Sequence, residues 1–309
     1  MRFSGAPMAQ RDRILRAMID YYAGGETPLL ERMTRDFNPG RKVGLVVNSY
    51  AQVRLVKDWL RRRHPTLATR VIGVGDEMPE RNDGDWITAA QVERVGLRDD
   101  WCALVFPMRA LSRGVNIVFE RGPRRRDALL GTLVFLTRPH PSTESLDLVA
   151  GLAGSATLAF DACRFPGQAS NAQVATAWAQ ARREMMRTAR RLLRFPLMAS
   201  RLGPLNEPFT ADVMVDVLQT IGRAMRNGCP ARVIFADAAW APMSASTERR
   251  RDTGDSSMLV KMRDILRARL ADPDPVDREL YRALYEPFLH PLERCNGVRF
   301  PDGDEADDA

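Results

Sequence analysis

Five short unbroken apolar runs, each followed by a stretch that suits a helix or a turn, constrain this chain more than any other feature. They are VGLVV (43–47), RVIGV (70–74), CALVF (102–106), LLGTLVFL (129–136) and ARVIFAD (231–237). A run that is apolar at nearly every position, and not at alternate ones, suits a strand covered on both faces. Such strands alternating with helices over about 200 residues predict an α/β fold, a mainly parallel, doubly wound sheet sandwiched by helices. With 309 residues, 45% of them hydrophobic, the chain can bury a full core.

Around that sheet the sequence divides into further parts. Residues 1–40 read as a helical lead-in, with Ile14, Leu15, Met18 and Ile19 at helical spacing over 10–37 and a turn at Asn38-Pro39-Gly40. The lobe itself runs over 41–245. Its first strand passes through the capping residues Asn48 and Ser49 into a helix that closes at His64-Pro65. A helical insertion spans about 143–218 and contains TAWAQARREMMRTARRLLRF (176–195). Its arginines at 182, 183, 187, 190, 191 and 194 share one broad face, with Trp178, Met185, Leu192 and Leu193 available for the packed face. That arginine face is either a solvated helix surface or a surface that tracks a nucleic-acid backbone. A polar loop (244–257) precedes a helical tail from 258 to about 289, within 246–300. The acidic end at 301–309 is expected to be disordered.

The formal charge of +7 favours a polyanionic partner, of which nucleic acid is the commonest. The cations are almost all arginine, lysine occurring only at Lys42, Lys57 and Lys261, and a high-GC genome produces the same bias. Cys102, Cys163, Cys229 and Cys295 stand far apart, without a C-x-x-C pair and with only three histidines, so neither a disulfide framework nor a zinc knuckle is indicated. No apolar run approaches the roughly 20 residues needed to cross a bilayer, and the first residues lack the apolar stretch of a signal peptide. A cytoplasmic protein with no membrane partner is expected.

The sharpest motif is QTIGRAMR, from Gln219 to Arg226, followed by Asn227-Gly228 and the last strand. On a helix, Arg223 and Arg226 would share a face and could converge on one phosphate, and Gly222 would let the helix approach a neighbour closely. Arginine is planar and permanently cationic, which suits charge gathering on phosphoryl oxygens better than lysine does. This string resembles motif VI of the superfamily 2 helicases. Upstream, FPMRALSRGVNIV (106–118) resembles motif V through Ser112, Arg113, Gly114, Val115, Asn116 and Ile117, although Pro107-Met108-Arg109 stands where the family has a Thr-[DE] pair. KVGLVVNSYAQVRLVKDWL (42–60) looks like motif IV, its Asn48-Ser49-Tyr50 turn offering a helix N-terminus to a phosphate.

The three resemblances stand in family order over residues 41–242. The long gap between the second and third, with LVFLTRPHPS after the second, is similar to the DinG/XPD branch. The resemblance implies the C-terminal RecA-like lobe of an ATP-dependent helicase or translocase. Arg223 and Arg226 would be its catalytic arginine fingers, supported at the ATP site by Gln219, Gly222, Gly114 and Asn116. Asn48, Ser49, Tyr50, Ser112 and Arg113 would contact nucleic acid, with DNA favoured over RNA.

None of the three lysines follows a glycine, so the Gly-Lys step of a phosphate-binding loop is missing. ATP and Mg2+ are therefore expected at a site shared with a separate Walker A lobe, and not on this chain alone. The two arginines should then face an exposed cleft at the carboxyl edge of the sheet. Asp76-Glu77 reads as a loop cap. A non-catalytic nucleic-acid-binding subunit is the competing class, and a nucleotide-binding or methyl-transfer enzyme on a Rossmann-like sheet is a third reading.

Overall fold

The computed structural model describes residues 1–37, 39–79, 84–111, 114–139, 150–151, 154, 157–158, 160, 169–194 and 203–302, with side chains for all of these except 191–194 and 204. The chain forms two compact units, Met1–Pro139 with Ala199–Ala309, and His140–Met198.

The first unit holds a six-stranded sheet of β1 (Lys42–Val47), β2 (Val71–Gly75), β3 (Trp86–Thr88), β4 (Ala103–Pro107), β5 (Leu130–Phe135) and β6 (Arg232–Phe235). The order is β3-β2-β4-β1-β5-β6, and every pairing is parallel. All five apolar runs are strands, and β2, β4 and β5 are buried at every position. This is the mainly parallel α/β arrangement that their composition predicts, since a parallel sheet is stable only when helices keep water from both faces, and it is consistent with the RecA-like fold that the resemblance implies. Only β3 escaped the sequence reading, because three residues are too few to carry a pattern. It is held by a local device at Gly73, where an added Cβ would meet the Trp86 ring at 2.9 Å, so only glycine lets that ring lie against β2.

The helices of this unit are α1 (Met8–Ala23), α2 (Leu29–Asp36), α3 (Tyr50–Arg63) and α4 (Pro65–Ala68) before the last strands. The second unit contributes α5 (Asn171–Arg194), and the first resumes with α6 (Asn206–Ala224), α7 (Met258–Leu270) and α8 (Pro275–Glu293). Leu15, Met18 and Ile19 of α1 share one buried cluster with Val53, Val56 and Leu60 of α3 and with Val43 and Leu45 of β1. The lead-in is thus a layer of the lobe's own core and not a separate segment. Likewise α6 belongs with the sheet, so the insertion ends at Met198 and not near 218. The tail is two helices: α7 ends at Leu270 with Ala271 as its C-cap, and Asp274 starts α8, its carboxylate accepting from the Val276 and Asp277 N–H groups. Of the acidic end, 303–309 lie outside the described residues.

The two edges of the sheet near β5 and β6 are closed differently. At the carboxyl edge, the buried Asp237 carboxylate accepts from the backbone N–H groups of Phe3, Ser4, Arg138 and Ala239 at 2.9–3.0 Å. The Ala238 N–H also donates to the Met1 carbonyl at 2.8 Å, so Met1–Ser4 cover this edge. At the amino edge, Arg41 is 1% exposed. Its guanidinium donates to the carbonyls of Ala128 (2.7 Å), Pro230 (2.5 Å), Ala224 (2.5 Å) and Leu130.

Candidate functional site

Helix α6 carries the motif VI resemblance. Phe209, Val213, Val217 and Ile221 recur every fourth residue and are buried, which turns that face to the core and leaves Gln219 exposed on another. The helix stops at Ala224, whose carbonyl is one of those held by Arg41. Met225 is the C-cap, and Arg226–Gly228 form a separate tight turn. In that turn Asn227 (φ 58°) and Gly228 (φ 71°) adopt left-handed backbone, and the Asn227 side-chain amide donates to Asp127 Oδ1 at 2.7 Å. Arg223 and Arg226 therefore do not share a helical face as their spacing predicted. The second arginine is carried past the end of the helix by a turn built on Asn-Gly.

They meet all the same. Gln219, Gly222, Arg223, Met225, Arg226 and Asn227, together with Gly114 of the motif V resemblance, line one open cavity of about 610 Å³. Gly114 has φ 71°, a backbone that favours glycine, and a Cβ there would meet nothing within 4 Å. A Cβ on Gly222 would also point into open space. The expected role of Gly222 in close helix packing is thus replaced by another, keeping the cavity wall bare. Arg109 pairs with Asp216 at 3.4 Å and ties the motif V segment to the middle of α6.

The electrostatics of the cavity are one-sided. Its lining contains two guanidinium groups and no carboxylate. Arg226 is exposed, whereas Arg223 is only 7% exposed and donates through Nη1 to the Val115 carbonyl. Its buried Nε has no partner among the described residues. The pKa of Arg223 is lowered from the ordinary arginine value, first by burial and then by the positive charge of Arg226, with Glu93 acting in the opposite direction. Guanidinium does not release its proton in proteins, so this repulsion appears as an unsatisfied cation.

The position of this cavity differs from expectation. The strands are parallel, and the end of α6 is fastened by Arg41 beside the starts of β1, β5 and β6. The arginines consequently lie towards the amino edge of the sheet and not over its carboxyl edge, and Arg223 is buried where an exposed finger was expected. The physical reason is the direction of travel: a helix leading into a parallel strand ends where that strand begins.

The remaining candidates are dispersed. Asn48, Ser49 and Tyr50 stand at the carboxyl end of β1, on the opposite edge. There the Asn48 amide donates to the Arg138 carbonyl (2.9 Å), and Ser49 Oγ caps α3 by accepting from the Gln52 N–H (3.3 Å). Tyr50 is half-buried, and burial followed by the nearby Asp76 charge raises its pKa. Asn116 is exposed and outside the cavity, its backbone N–H donating to Glu93 at 2.8 Å. Ser112 and Arg113 lie outside the described residues. Asp76 does cap its loop, accepting from the Glu77 N–H at 3.1 Å and pairing with Arg54 at 2.8 Å.

No protein-family model matches the chain, and no curated protein matches it.

Sequence reasoning missed Arg41, Arg109 with Asp216, and Asn227. Arg41 had no legible signal, because its partners are backbone carbonyls 87 to 189 residues away. Asn227-Gly228 did carry one, since Asn-Gly is the dipeptide best suited to consecutive left-handed residues. Among the described residues, no helix is long and apolar enough to cross a membrane. Chemically, the cavity offers cations and amide donors and, among the described residues, no imidazole, thiol or carboxylate. It is suited to bind and neutralise an oxyanion, and it supplies neither a general base nor a metal ligand.

Proposed function

We propose that this chain is the C-terminal RecA-like lobe of an ATP-dependent nucleic-acid helicase or translocase, with Arg223 and Arg226 giving positive charge to the phosphates of ATP held mainly by a second, Walker A lobe. One observation carries the reading. Gly114 from one motif and Gln219, Gly222, Arg223 and Arg226 from another, far apart in sequence, line a single cavity whose charged groups are all cationic. An array of guanidinium and amide donors fits phosphate oxygens. It does not fit a metal ion, so Mg2+ would be held by the other lobe and the nucleotide.

When bound, ATP supplies the phosphoryl group to be transferred and Mg2+ neutralises part of its charge. Arg226, being exposed, meets the anion first. Arg223 must exchange the Val115 carbonyl for a phosphate oxygen, and the anion lifts the repulsion between the two arginines as it does so. Gln219 stands one turn before Arg223 and can donate to the same group. Nucleic acid, DNA before RNA, would be contacted by Asn48, Ser49, Tyr50, Ser112 and Arg113, as the resemblance implies.

Arg223→Ala in the assembly of this chain with the Walker A polypeptide that co-purifies with it should lower kcat by about 10³-fold or more while changing KM for ATP little. An unchanged rate removes the arginine from the mechanism, and brisk ATP turnover by the purified chain alone contradicts the two-lobe reading.

The burial of Arg223 against Val115 favours a second reading, a lobe that keeps a nucleic-acid surface without catalysis as a subunit of a larger complex. In that case no co-purifying polypeptide restores Arg223-dependent ATP turnover, while salt-dependent oligonucleotide binding persists.

A further inference from the structure

We infer that the arginine face of α5, in the second unit, is a docking surface for single-stranded nucleic acid. This deepens the reading above by naming where the strand is gripped, and it shares no residue with the arginine cavity. Helix α5 has 24 residues and opens with a reciprocal cap, the Gln173 N–H donating to Ser170 Oγ and the Ser170 N–H to Gln173 Oε1. Val174, Ala177, Ala181, Met185 and Thr188 are half-buried and Ala189 is buried, all at three- and four-residue spacing, so the helix has a defined inner side.

The outer side is cationic and partly apolar. Arg182, Arg183, Arg187 and Arg190 are all exposed. The one acidic residue of the helix, Glu184, accepts from the Gln180 amide at 3.4 Å. Trp178, Arg182, Met186 and Arg190 follow one another at four-residue intervals and form one row, with Arg183 and Arg187 in the row beside it. Trp178 remains 40% exposed although its ring meets Phe160 edge-on, and Met186 is also 40% exposed.

Charge complementarity selects a polyanion for this face, because guanidinium groups pair with phosphodiester oxygens in a planar, forked geometry. The exposed indole within the arginine row selects an unpaired strand. A single strand offers base faces for stacking, whereas a duplex hides them. A purely solvated face would need the arginines but gains nothing from an exposed tryptophan and methionine among them.

The test uses the full chain and a fluorescent 20-residue oligothymidylate, with a duplex of equal length and polyglutamate as competitors. The single strand should bind more tightly than either competitor. Replacing Arg182, Arg183, Arg187 and Arg190 together by Gln, which keeps helix propensity, should reduce the slope of log affinity against log salt by about 3. Trp178→Ala should weaken single-strand binding about tenfold and leave that slope unchanged. An unaltered slope in the quadruple variant overturns the proposal, as does tighter binding of the duplex or equal competition by polyglutamate at matched charge. Far-ultraviolet circular dichroism of the variants establishes that α5 is retained. Arg223→Ala should leave oligonucleotide binding intact, so failure at the ATP site and failure of this surface give different results.

Discussion

Arg41 and Arg223 are two buried guanidinium groups at the same end of one helix, and they are satisfied in opposite ways. Arg41 distributes its donors over four backbone carbonyls, one of them that of Ala224, the residue after Arg223. Among the described residues Arg223 has one carbonyl, an Nε without a partner and a second arginine as its neighbour. Burial lowers the pKa of both, but Cys229 is the next influence on Arg41 and raises it, whereas Arg226 is the next on Arg223 and lowers it further. A buried cation whose hydrogen bonds are complete is a structural fastener. One left incomplete beside a cavity fits the additional anion proposed for it.

The sharpest way to break this contrast is Arg41→Met. It takes a shared donor from the buried carbonyls of Ala128, Leu130 and Ala224, offset only in part by removing a buried charge, and should cost about 3 kcal/mol or more in urea unfolding. A loss below about 1 kcal/mol would show that Arg41 does not hold the corner together. Next comes Gly222→Ala, at a helical position where the new methyl meets nothing within 4 Å. It should raise stability by about 0.4–1 kcal/mol through the unfolded chain, yet lower ATP turnover of the proposed two-lobe assembly by narrowing the cavity. A gain in stability with full turnover would mean that this wall of the cavity faces no ligand. The smallest effect is expected for Arg223→Met in the chain alone. The loss of one hydrogen bond is balanced by relief of repulsion, so unfolding free energy should change by no more than about 0.5 kcal/mol. A cost of several kcal/mol would place Arg223 with Arg41 among the fasteners.

The parts legible in the sequence are those governed by neighbours in the chain. Four of the five apolar runs became strands buried almost throughout, as their two-sided covering requires, while β6 at the sheet edge is only half-buried, and Ser49 caps α3 as its place before Tyr50–Arg63 indicates. Of the residues read as one candidate ATP site, Asn116 stands outside the cavity. Gly114, Gln219, Gly222, Arg223 and Arg226 do line one cavity, but the shared helical face of the two arginines was an error of one turn. The role of Gly222 was also misread, because close packing and open space leave the same letter in a sequence. Asn48 and Ser49 were read as phosphate contacts, yet their side chains complete the lobe's own backbone hydrogen bonds.

By itself, then, the sequence determined the class of fold, the order of its strands along the chain and most of the residues that line the arginine cavity. Those properties follow from apolar period, capping chemistry and charge, which act over a few residues. Only the tertiary structure decided which edge of the sheet the arginines reach, that Met1–Ser4 cover the opposite edge, and that one arginine is tethered while the other is free to solvent. Those outcomes depend on carbonyls and carboxylates more than 80 residues distant, and such partners come together only when the sheet has closed.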